Sequence, residues 1–203
     1  MFKANNKSNI VLIVILAGIA IIIAITVYRL KVMPKMNNNS KKTDFPYNPA
    51  FMERAIDLSA QASLVKKTGG VFGAVVVKDG EIVGEGYNQV ISQNDPTWHA
   101  EIQALREAGK KLGTPHLTGC VLYTSAECCP MCLTACYWAH IDHIYYGASV
   151  ADALKYGEFK DVDFYAQVCK KPADRLIGMT QKMHTEAVDI WKKFSVMPDR
   201  ARY

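Results

Sequence analysis

Two short segments of the chain carry residue types that can bind a metal and use it. His99 and Glu101 lie in the first segment, and Cys129 and Cys132 lie in the second. One imidazole and two thiolates give Zn²⁺ three of its usual four ligands, which leaves a position for water. A water in that position ionises near neutral pH and becomes a nucleophile. The spacing therefore predicts a catalytic zinc site with the ligands His99, Cys129 and Cys132, in which the carboxylate of Glu101 transfers protons rather than binding metal.

Each of these pairs has another interpretation when it is taken alone. His-x-Glu is common on protein surfaces, and Cys-x-x-Cys can be a redox pair or half of a structural zinc site. A structural site would need a fourth ligand, for which His116, His140 and His143 are candidates. Cys128, which adjoins the ligand pair, is a spare thiol whose role stays open. The catalytic interpretation is favoured because each pair opens a predicted helix and a strand lies between them.

Helices and strands that alternate along the chain must position these residues. Pro130 suits the first turn of a helix, which places Cys129 at the helix cap and Cys132 on the first turn, where the helix dipole favours thiolate. The alternation predicts an α/β sandwich in which helices flank a central sheet. Hydrophobic periodicity predicts helices over 51–67, 97–112, 129–140, from about 148 to 154 and over 183–194 (with Trp191 on its inner face), and strands over 71–77, 81–87, 121–124 and 143–147.

The N-terminal part of the chain has a different composition from the rest. Residues 10–27 are apolar or small except for Thr26, which is long enough for a helix that crosses a bilayer. No cleavage motif closes this run, so a signal peptide is a poorer fit. Basic residues are more numerous after it than before it, which predicts a cytoplasmic catalytic domain. The predicted organisation is a short tail (1–9), a single-pass transmembrane anchor (10–28), a basic and polar tether (29–45) and a catalytic domain (46–203).

Charge is distributed unevenly between these parts. The formal net charge is +5, but residues 1–42 hold seven of the 24 basic residues and no acidic one. The other 17 basic residues are outnumbered by all 19 acidic residues, which leaves residues 43–203 at −2. A polynucleotide-binding domain is usually basic, so a nucleic-acid partner is not expected.

Several longer segments resemble the cytidine-deaminase-like superfamily, and within it the bacterial guanine deaminases. The likeness runs from about Phe51 to the C-terminus. Its motifs are Phe72-Gly73-Ala74-Val75-Val76-Val77-Lys78-Asp79-Gly80, Asn94-Asp95-Pro96-Thr97-Trp98-His99-Ala100-Glu101, Tyr123-Thr124-Ser125, and Cys129-Pro130-Met131-Cys132 through Tyr137-Trp138-Ala139. The resemblance implies a three-layer α/β/α sandwich of the cytidine deaminase type, here preceded by the transmembrane helix. It also implies one Zn²⁺ per chain and hydrolysis of guanine to xanthine and ammonia.

The resemblance also implies residues that contact the base. Asn88 would hydrogen-bond the purine, Phe72 and Trp138 would line its pocket, Asp161 would read the guanine edge, and Tyr203 would close the pocket. A homodimer that exchanges its C-terminal segments is implied as well. The chain departs from the family pattern at Cys128, where proline is usual, at Val71, and at Trp98, where a small residue is usual.

Three other functions are consistent with parts of the same pattern. A tRNA adenosine deaminase shares the zinc core but needs a basic groove, which the domain charge does not favour. A deaminase of cytosine or another small base is a further alternative. An inactive scaffold or membrane adaptor would keep zinc for stability alone, and the intact Glu101 argues against it.

Overall fold

The computed structural model of the protein describes residues 45–201. Its strands are β1 (Gly73–Lys78), β2 (Glu81–Tyr87), β3 (Cys120–Ala126) and β4 (His143–Ala148). Its α-helices are α1 (Pro49–Ala60, continued by a π-helical turn at Gln61–Val65), α2 (Val90–Gln93), α3 (Ala100–Leu112), α4 (Pro130–Trp138), α5 (Val150–Gly157), α6 (Asp161–Val168) and α7 (His184–Ser195), with a 3₁₀ turn at Pro172–Asp174.

The four strands form one mixed sheet in the order β2-β1-β3-β4. β1 is antiparallel to β2 and to β3, whereas β3 and β4 are parallel and are joined through α4. Asp79 and Gly80 have φ values of 51° and 80°, which is the backbone that a tight hairpin between β1 and β2 requires. The parallel pair places the ends of β3 and β4 on one edge, beside the start of α4.

Apolar side chains pack against both faces of this sheet. On one face, Met52 and Leu58 of α1 cover Val75 and Tyr123. The other face carries the larger cluster, in which the alanines of α3 and the buried cysteines of α4 cover Ala74, Val76 and Leu122. Both clusters use β-branched and small residues of the central strands, and they fix α3 and α4 on the same face of the sheet.

Two glycines bring α3 unusually close to β2. A Cβ atom on Gly84 would overlap the carbonyl oxygen of Ala104, and one on Gly86 would overlap the carbonyl oxygen of Ala100. Only glycine leaves room for the helix backbone at this distance. The first turn of α3, which carries Glu101, therefore rests directly on the strand.

Apart from shifts of one to three residues at other element ends, the observed elements differ from the predicted ones in three places. α3 begins at Ala100 rather than near residue 97, because the Asp95 carboxylate accepts hydrogen bonds from the backbone N–H and the hydroxyl of Thr97 (2.7 and 2.8 Å) and holds that segment in a turn. The helices α2 and α6 were not predicted. Trp191 of α7 is 70% exposed in this chain rather than turned inward.

The predicted fold class needs a correction at its N-terminus. Within the described residues, no helix is long and apolar enough to cross a membrane. Among residues 45–201, the longest uninterrupted α-helix is α3, which has 13 residues and reaches about 20 Å, whereas a bilayer core is about 30 Å thick. The fold is a mixed α/β sheet of four strands with helices, and the predicted transmembrane helix, membrane partner and membrane-anchored localisation are not supported. The residues predicted to form the anchor, 10–28, lie outside the described residues.

Candidate active site

Three side chains from the starts of two helices form a metal-binding group. His99 is the N-cap residue of α3, Cys129 is the N-cap residue of α4, and Cys132 lies on the first turn of α4. Their ligand atoms all lie within 4.8 Å of one another, and within residues 45–201 no other such group of His, Cys, Asp or Glu is found. The packing of α3 and α4 on one face of the sheet brings the two segments together.

The distances within this group suit zinc. Nδ1 of His99 is 3.6 Å from Sγ of Cys129 and 3.5 Å from Sγ of Cys132. A tetrahedral Zn²⁺ with Zn–N and Zn–S bonds of about 2.1 and 2.3 Å separates nitrogen and sulfur ligands by about 3.6 Å. The two nitrogen–sulfur distances therefore match those that one zinc ion would require.

The protein stabilises thiolate at this position even without the charge of a metal. The pKa of Cys129 is lowered to about 4, first because the Cys132 thiol donates a hydrogen bond to it and also because the His99 ring does. The same hydrogen bond and burial raise the pKa of Cys132. The lowered pKa favours the thiolate form of Cys129, which is the form that binds a metal ion.

Glu101 lies beside this group and is almost completely enclosed. The residue is 3% exposed, and among the described residues its Oε2 atom has no hydrogen-bond partner. Desolvation raises the pKa of this carboxyl from 4.5 to about 7. A carboxyl with such a pKa can accept and release a proton at neutral pH, which is what an acid–base catalyst must do.

The candidate fourth ligands lie elsewhere. His116 and His140 face each other with ring centroids 5.0 Å apart, and His143 stacks on Phe45. The thiol of Cys128 is buried and interacts with that of Cys136, which raises the pKa of Cys128. In the described part of the chain, the metal group therefore has three protein ligands rather than four.

A cavity of about 1160 Å³ opens beside the metal group. His99 and Cys129 form part of its wall, and most of the remainder comes from α4, α6 and the segment after α6. The wall is largely apolar, with a few charged groups, which is typical of a site for a small organic molecule. Its residues include Trp138, Lys160, Asp161, Phe164, Arg175 and Leu176.

The predicted base-contacting residues are placed at different distances from the metal. Trp138 and Asp161 line the cavity, although the side chain of Trp138 is 62% exposed. Burial raises the pKa of Asp161. The nearby charge of Cys129 raises this pKa further, whereas that of His99 lowers it. Phe72 packs edge-to-face on Phe159 with centroids 4.9 Å apart. Asn88 is buried at the end of β2. Tyr203 lies outside the described residues.

Sequence reasoning missed a residue that links α6 to the metal group. The hydroxyl of Tyr165 donates a hydrogen bond of 2.6 Å to the backbone carbonyl of Cys128, which directly precedes the ligand Cys129. Tyr165 is four residues after Asp161, so both project from the same side of α6. The sequence offers little signal for this contact, because no residue of α6 is buried and the helix therefore has no clear apolar stripe.

Comparisons with known proteins agree with this geometry. Residues 47–148 match the family model described as "Cytidine and deoxycytidylate deaminase zinc-binding region". The chain is 43% identical over 148 residues to a guanine deaminase of Bacillus subtilis (strain 168), covering 71% of this chain and 94% of that protein. A crystal structure of guanine deaminase from Bacillus subtilis superposes with a TM-score of 0.73 at 40% identity, covering 78% of this chain and 99% of the other. A tRNA-specific adenosine deaminase of Agrobacterium fabrum (strain C58 / ATCC 33970) is 35% identical over 125 residues, covering 60% of this chain and 78% of that protein.

Proposed function

This chain belongs to the cytidine and deoxycytidylate deaminase zinc-binding family, and from that premise we propose that it hydrolyses guanine to xanthine and ammonia. The observation that carries the proposal is the group of His99, Cys129 and Cys132 with the enclosed carboxyl of Glu101 beside it. The guanine deaminase relatives match it over most of their length, which supports guanine over other bases.

The two kinds of side chain in the site have separate tasks. His99, Cys129 and Cys132 hold one Zn²⁺, which when bound lowers the pKa of a water to about 7. Glu101 takes a proton from the attacking water and delivers it to the ring nitrogen next to the amino-bearing carbon. It then carries the second water proton to the departing amine, so that the C–N bond breaks as ammonia leaves and a carbonyl remains on the base.

Recognition of the base falls to the residues that the family resemblance implies. A carboxylate at Asp161 can accept hydrogen bonds from the amino and N–H groups of guanine. Asn88 can hydrogen-bond the ring, and Phe72, Trp138 and Tyr203 supply apolar and aromatic surface that covers it. The position of Asp161 in the cavity wall supports its assignment.

A homodimer with exchanged C-terminal segments belongs to the same proposal. α7 buries none of its residues within its own chain, and its apolar side chains Ile190 and Trp191 are 63% and 70% exposed. Large apolar side chains on one helix gain free energy when a second protomer covers them. The exposed apolar side chains of α7 therefore support the proposal that a second protomer packs against this helix.

Ammonia release from a panel of substrates tests the proposal. The zinc-loaded full chain is incubated with guanine, adenine, cytosine and a tRNA anticodon stem-loop, and ammonia is measured for each. Turnover of guanine well above that of the other three is expected. Turnover of another base without guanine would overturn the substrate, and no turnover of any of them would favour a scaffold.

The tRNA stem-loop is included because of one specific observation. Relatives named tRNA-specific adenosine deaminase match this chain, although over a smaller share of it than the guanine deaminase does. Adenosine deamination in the stem-loop but not in free adenine or guanine would establish that second function.

A further inference from the structure

Two histidines, His116 and His140, lie against each other on the protein surface. His116 follows α3 and His140 follows α4, and their ring centroids are 5.0 Å apart with the ring planes inclined at 51°. Both residues are exposed, and neither lines the cavity beside the metal group. Among the described residues, no group hydrogen-bonds either ring. This histidine pair is therefore accessible from solvent, and its ring nitrogens are open to another partner.

The separation of the two rings matches that of two imidazoles bound to one metal ion. With Zn–N bonds of about 2.1 Å and a ring centre about 1.2 Å behind each nitrogen, two imidazoles on a tetrahedral ion have centres about 5 Å apart. Because both rings are exposed, each can turn a nitrogen toward a shared ion. Imidazole is a ligand for zinc, copper and nickel, whereas magnesium and calcium prefer oxygen. The histidine pair therefore suits a divalent transition-metal ion.

Backbone hydrogen bonds hold the two histidine-bearing segments together. The N–H of Leu117 donates to the carbonyl of Ala139 at 2.7 Å, and these two residues directly adjoin the histidines. Leu117 is 1% exposed, so its segment is anchored in the core. The N–H of His116 donates to the hydroxyl of Thr114 at 3.1 Å. An ion that binds both rings therefore does not have to draw the segments together from a distance.

His140 occupies a backbone position that favours glycine. Its φ is 57°, which is the left-handed region. Its N–H donates to the carbonyl of Tyr137 (3.1 Å), and the N–H of Ile141 donates to that of Cys136 (3.0 Å). These two bonds form the Schellman motif that ends α4, in which the left-handed residue is usually glycine. Non-glycine residues held in this conformation recur where a side chain clamps a ligand.

We propose that His116 and His140 form a second metal site, which binds one divalent transition-metal ion with water molecules as its other ligands. The site binds more weakly than the group of His99, Cys129 and Cys132, because it offers two neutral ligands and no thiolate. Gel filtration therefore removes an ion from the histidine pair and leaves the one in the metal group. The inference is independent of the substrate that the protein acts on.

The position of the second site gives it a structural consequence. His99 and Cys129 cap the starts of α3 and α4, whereas the histidine pair follows the ends of the same two helices. An ion in the second site therefore joins, at their far ends, the two helices that carry the metal group. Because such an ion binds the folded chain and not the separated segments, it stabilises the folded state.

Calorimetric titration of zinc into zinc-loaded protein tests the proposal. The full chain is loaded with zinc, passed through gel filtration until elemental analysis gives one ion per chain, and titrated with ZnCl₂. We expect one further ion to bind to each chain. In His116→Ala and in His140→Gly its affinity should fall at least about tenfold, since loss of a group that only orients a ligand already costs that much. The controls His184→Ala and Cys169→Ser remove other exposed side chains that can bind zinc, and both should match wild type.

His140→Gly keeps the test valid if the alanine variant does not fold. Glycine suits the left-handed backbone at this position, so the variant should melt at or above the temperature of wild type while it loses the second ion. Wild type that binds no further ion would overturn the proposal. So would unchanged affinity for that ion in either His116→Ala or His140→Gly, because a shared ion needs both rings.

Melting temperatures measured with and without excess zinc provide a second readout. Starting again from zinc-loaded protein, excess zinc should raise the melting temperature of wild type and of His184→Ala but not that of His140→Gly. An equal rise in wild type and His140→Gly would place the ion elsewhere, and no rise in wild type would contradict a link between the two helices. Neither readout involves turnover, so failure of the proposed function in the substrate panel leaves this test unaffected.

Discussion

At the scale of single residues, the free energy of desolvation gives Glu101 its properties. A carboxyl that is enclosed and half unpaired keeps its proton at a higher pH than an exposed one, which raises its pKa to about 7. A group of this kind is costly to bury, and such costs are tolerated mainly at functional sites. The location of Glu101 beside the metal group is therefore consistent with proton transfer rather than with stability.

Glu101→Gln should separate proton transfer from metal binding. Glutamine has nearly the same shape but cannot exchange a proton, so kcat is expected to fall by about 10³-fold. Zinc content, measured by elemental analysis, should remain near one ion per chain, since the ligands are His99, Cys129 and Cys132. The control is Glu107→Gln on the exposed side of the same helix. Loss of zinc together with activity would contradict the assignment and make Glu101 a ligand.

Some residues of the site could be predicted from the sequence, and others could not. His99, Cys129 and Cys132 are each placed by the start of a helix, which is a local event that Pro130 and the spacing reveal. The orientation of the Asn88 amide depends on Gly70, which lies 18 positions away in sequence. Contacts of that kind leave no local pattern.

At the scale of elements, α6 is attached to the domain by few contacts. None of its residues is buried, so little hydrophobic free energy holds it in place. The hydrogen bond from Tyr165 to the carbonyl of Cys128 ties it to the metal-ligand loop. Asp161 is the first residue of the same helix. The position of its carboxylate therefore depends on the hydrogen bond between Tyr165 and Cys128.

Tyr165→Phe should loosen this helix without removing the metal. The loss of one hydrogen bond to a backbone carbonyl costs about 1 kcal/mol. We expect KM for guanine to rise several-fold while kcat and zinc content change little. Tyr156→Phe, which alters a tyrosine that is 76% exposed on α5, is the control. Unchanged KM in Tyr165→Phe would show that α6 keeps its position by other contacts.

An ion pair between α1 and β2 predicts how the free energy of unfolding depends on pH. Arg54 of α1 donates two hydrogen bonds to Glu85 of β2, at 2.8 and 2.7 Å. This hydrogen bonding lowers the pKa of Glu85 below 4.5. Its contribution to stability is therefore complete above pH 4.5 and is lost as the pH falls through the lowered pKa.

Glu85→Gln should weaken this acid dependence. Urea unfolding midpoints measured between about pH 6 and pH 3 are expected to fall less steeply for the variant than for wild type, with the difference arising below about pH 4.5. Glu107→Gln is the matched control, because its ion pair with Lys110 is exposed and spans one helical turn. Parallel curves for Glu85→Gln and wild type would exclude the pair as a source of acid sensitivity.

The elements that could be predicted from the sequence are those with a clear period. β2 matches its predicted range because its polar and apolar residues alternate, and α4 is marked by proline. α6 and α2 were missed because neither has a buried stripe, and the start of α3 was misplaced because the side chain of Asp95 forms a turn. The transmembrane helix was predicted from hydropathy, and residues 10–28, to which the prediction refers, lie outside the described residues.

At the scale of the whole molecule, the C-terminal third exposes several large apolar side chains to solvent. The side chains of Leu176, Ile177 and Trp191 are 84%, 82% and 70% exposed, and two of them line the cavity beside the metal group. Surface of this kind is usually covered by a partner. The proposed exchange of C-terminal segments would cover it and would bring the partner's chain end to the cavity.

Mixing two inactive variants tests this exchange directly. One variant is Glu101→Gln, which keeps a normal C-terminus, and the other is Tyr203→Ala, which keeps the acid–base residue. If the C-terminal segment of one protomer completes the site of the other, a mixed dimer contains one site with both Glu101 and Tyr203. After unfolding and refolding at equal concentrations with zinc, half of the dimers are mixed, so activity should return to about a quarter of wild type.

The same mixture distinguishes exchange from simple pairing. In a dimer without exchange, each site draws both residues from one chain, so every site in the mixture lacks one of them and activity stays at the level of the separate variants. The control is each variant refolded alone and then combined without unfolding, which forms no mixed dimers as long as protomers do not exchange. Recovery confined to the co-refolded sample would require that the two protomers build each site together, because neither chain holds a complete set of residues.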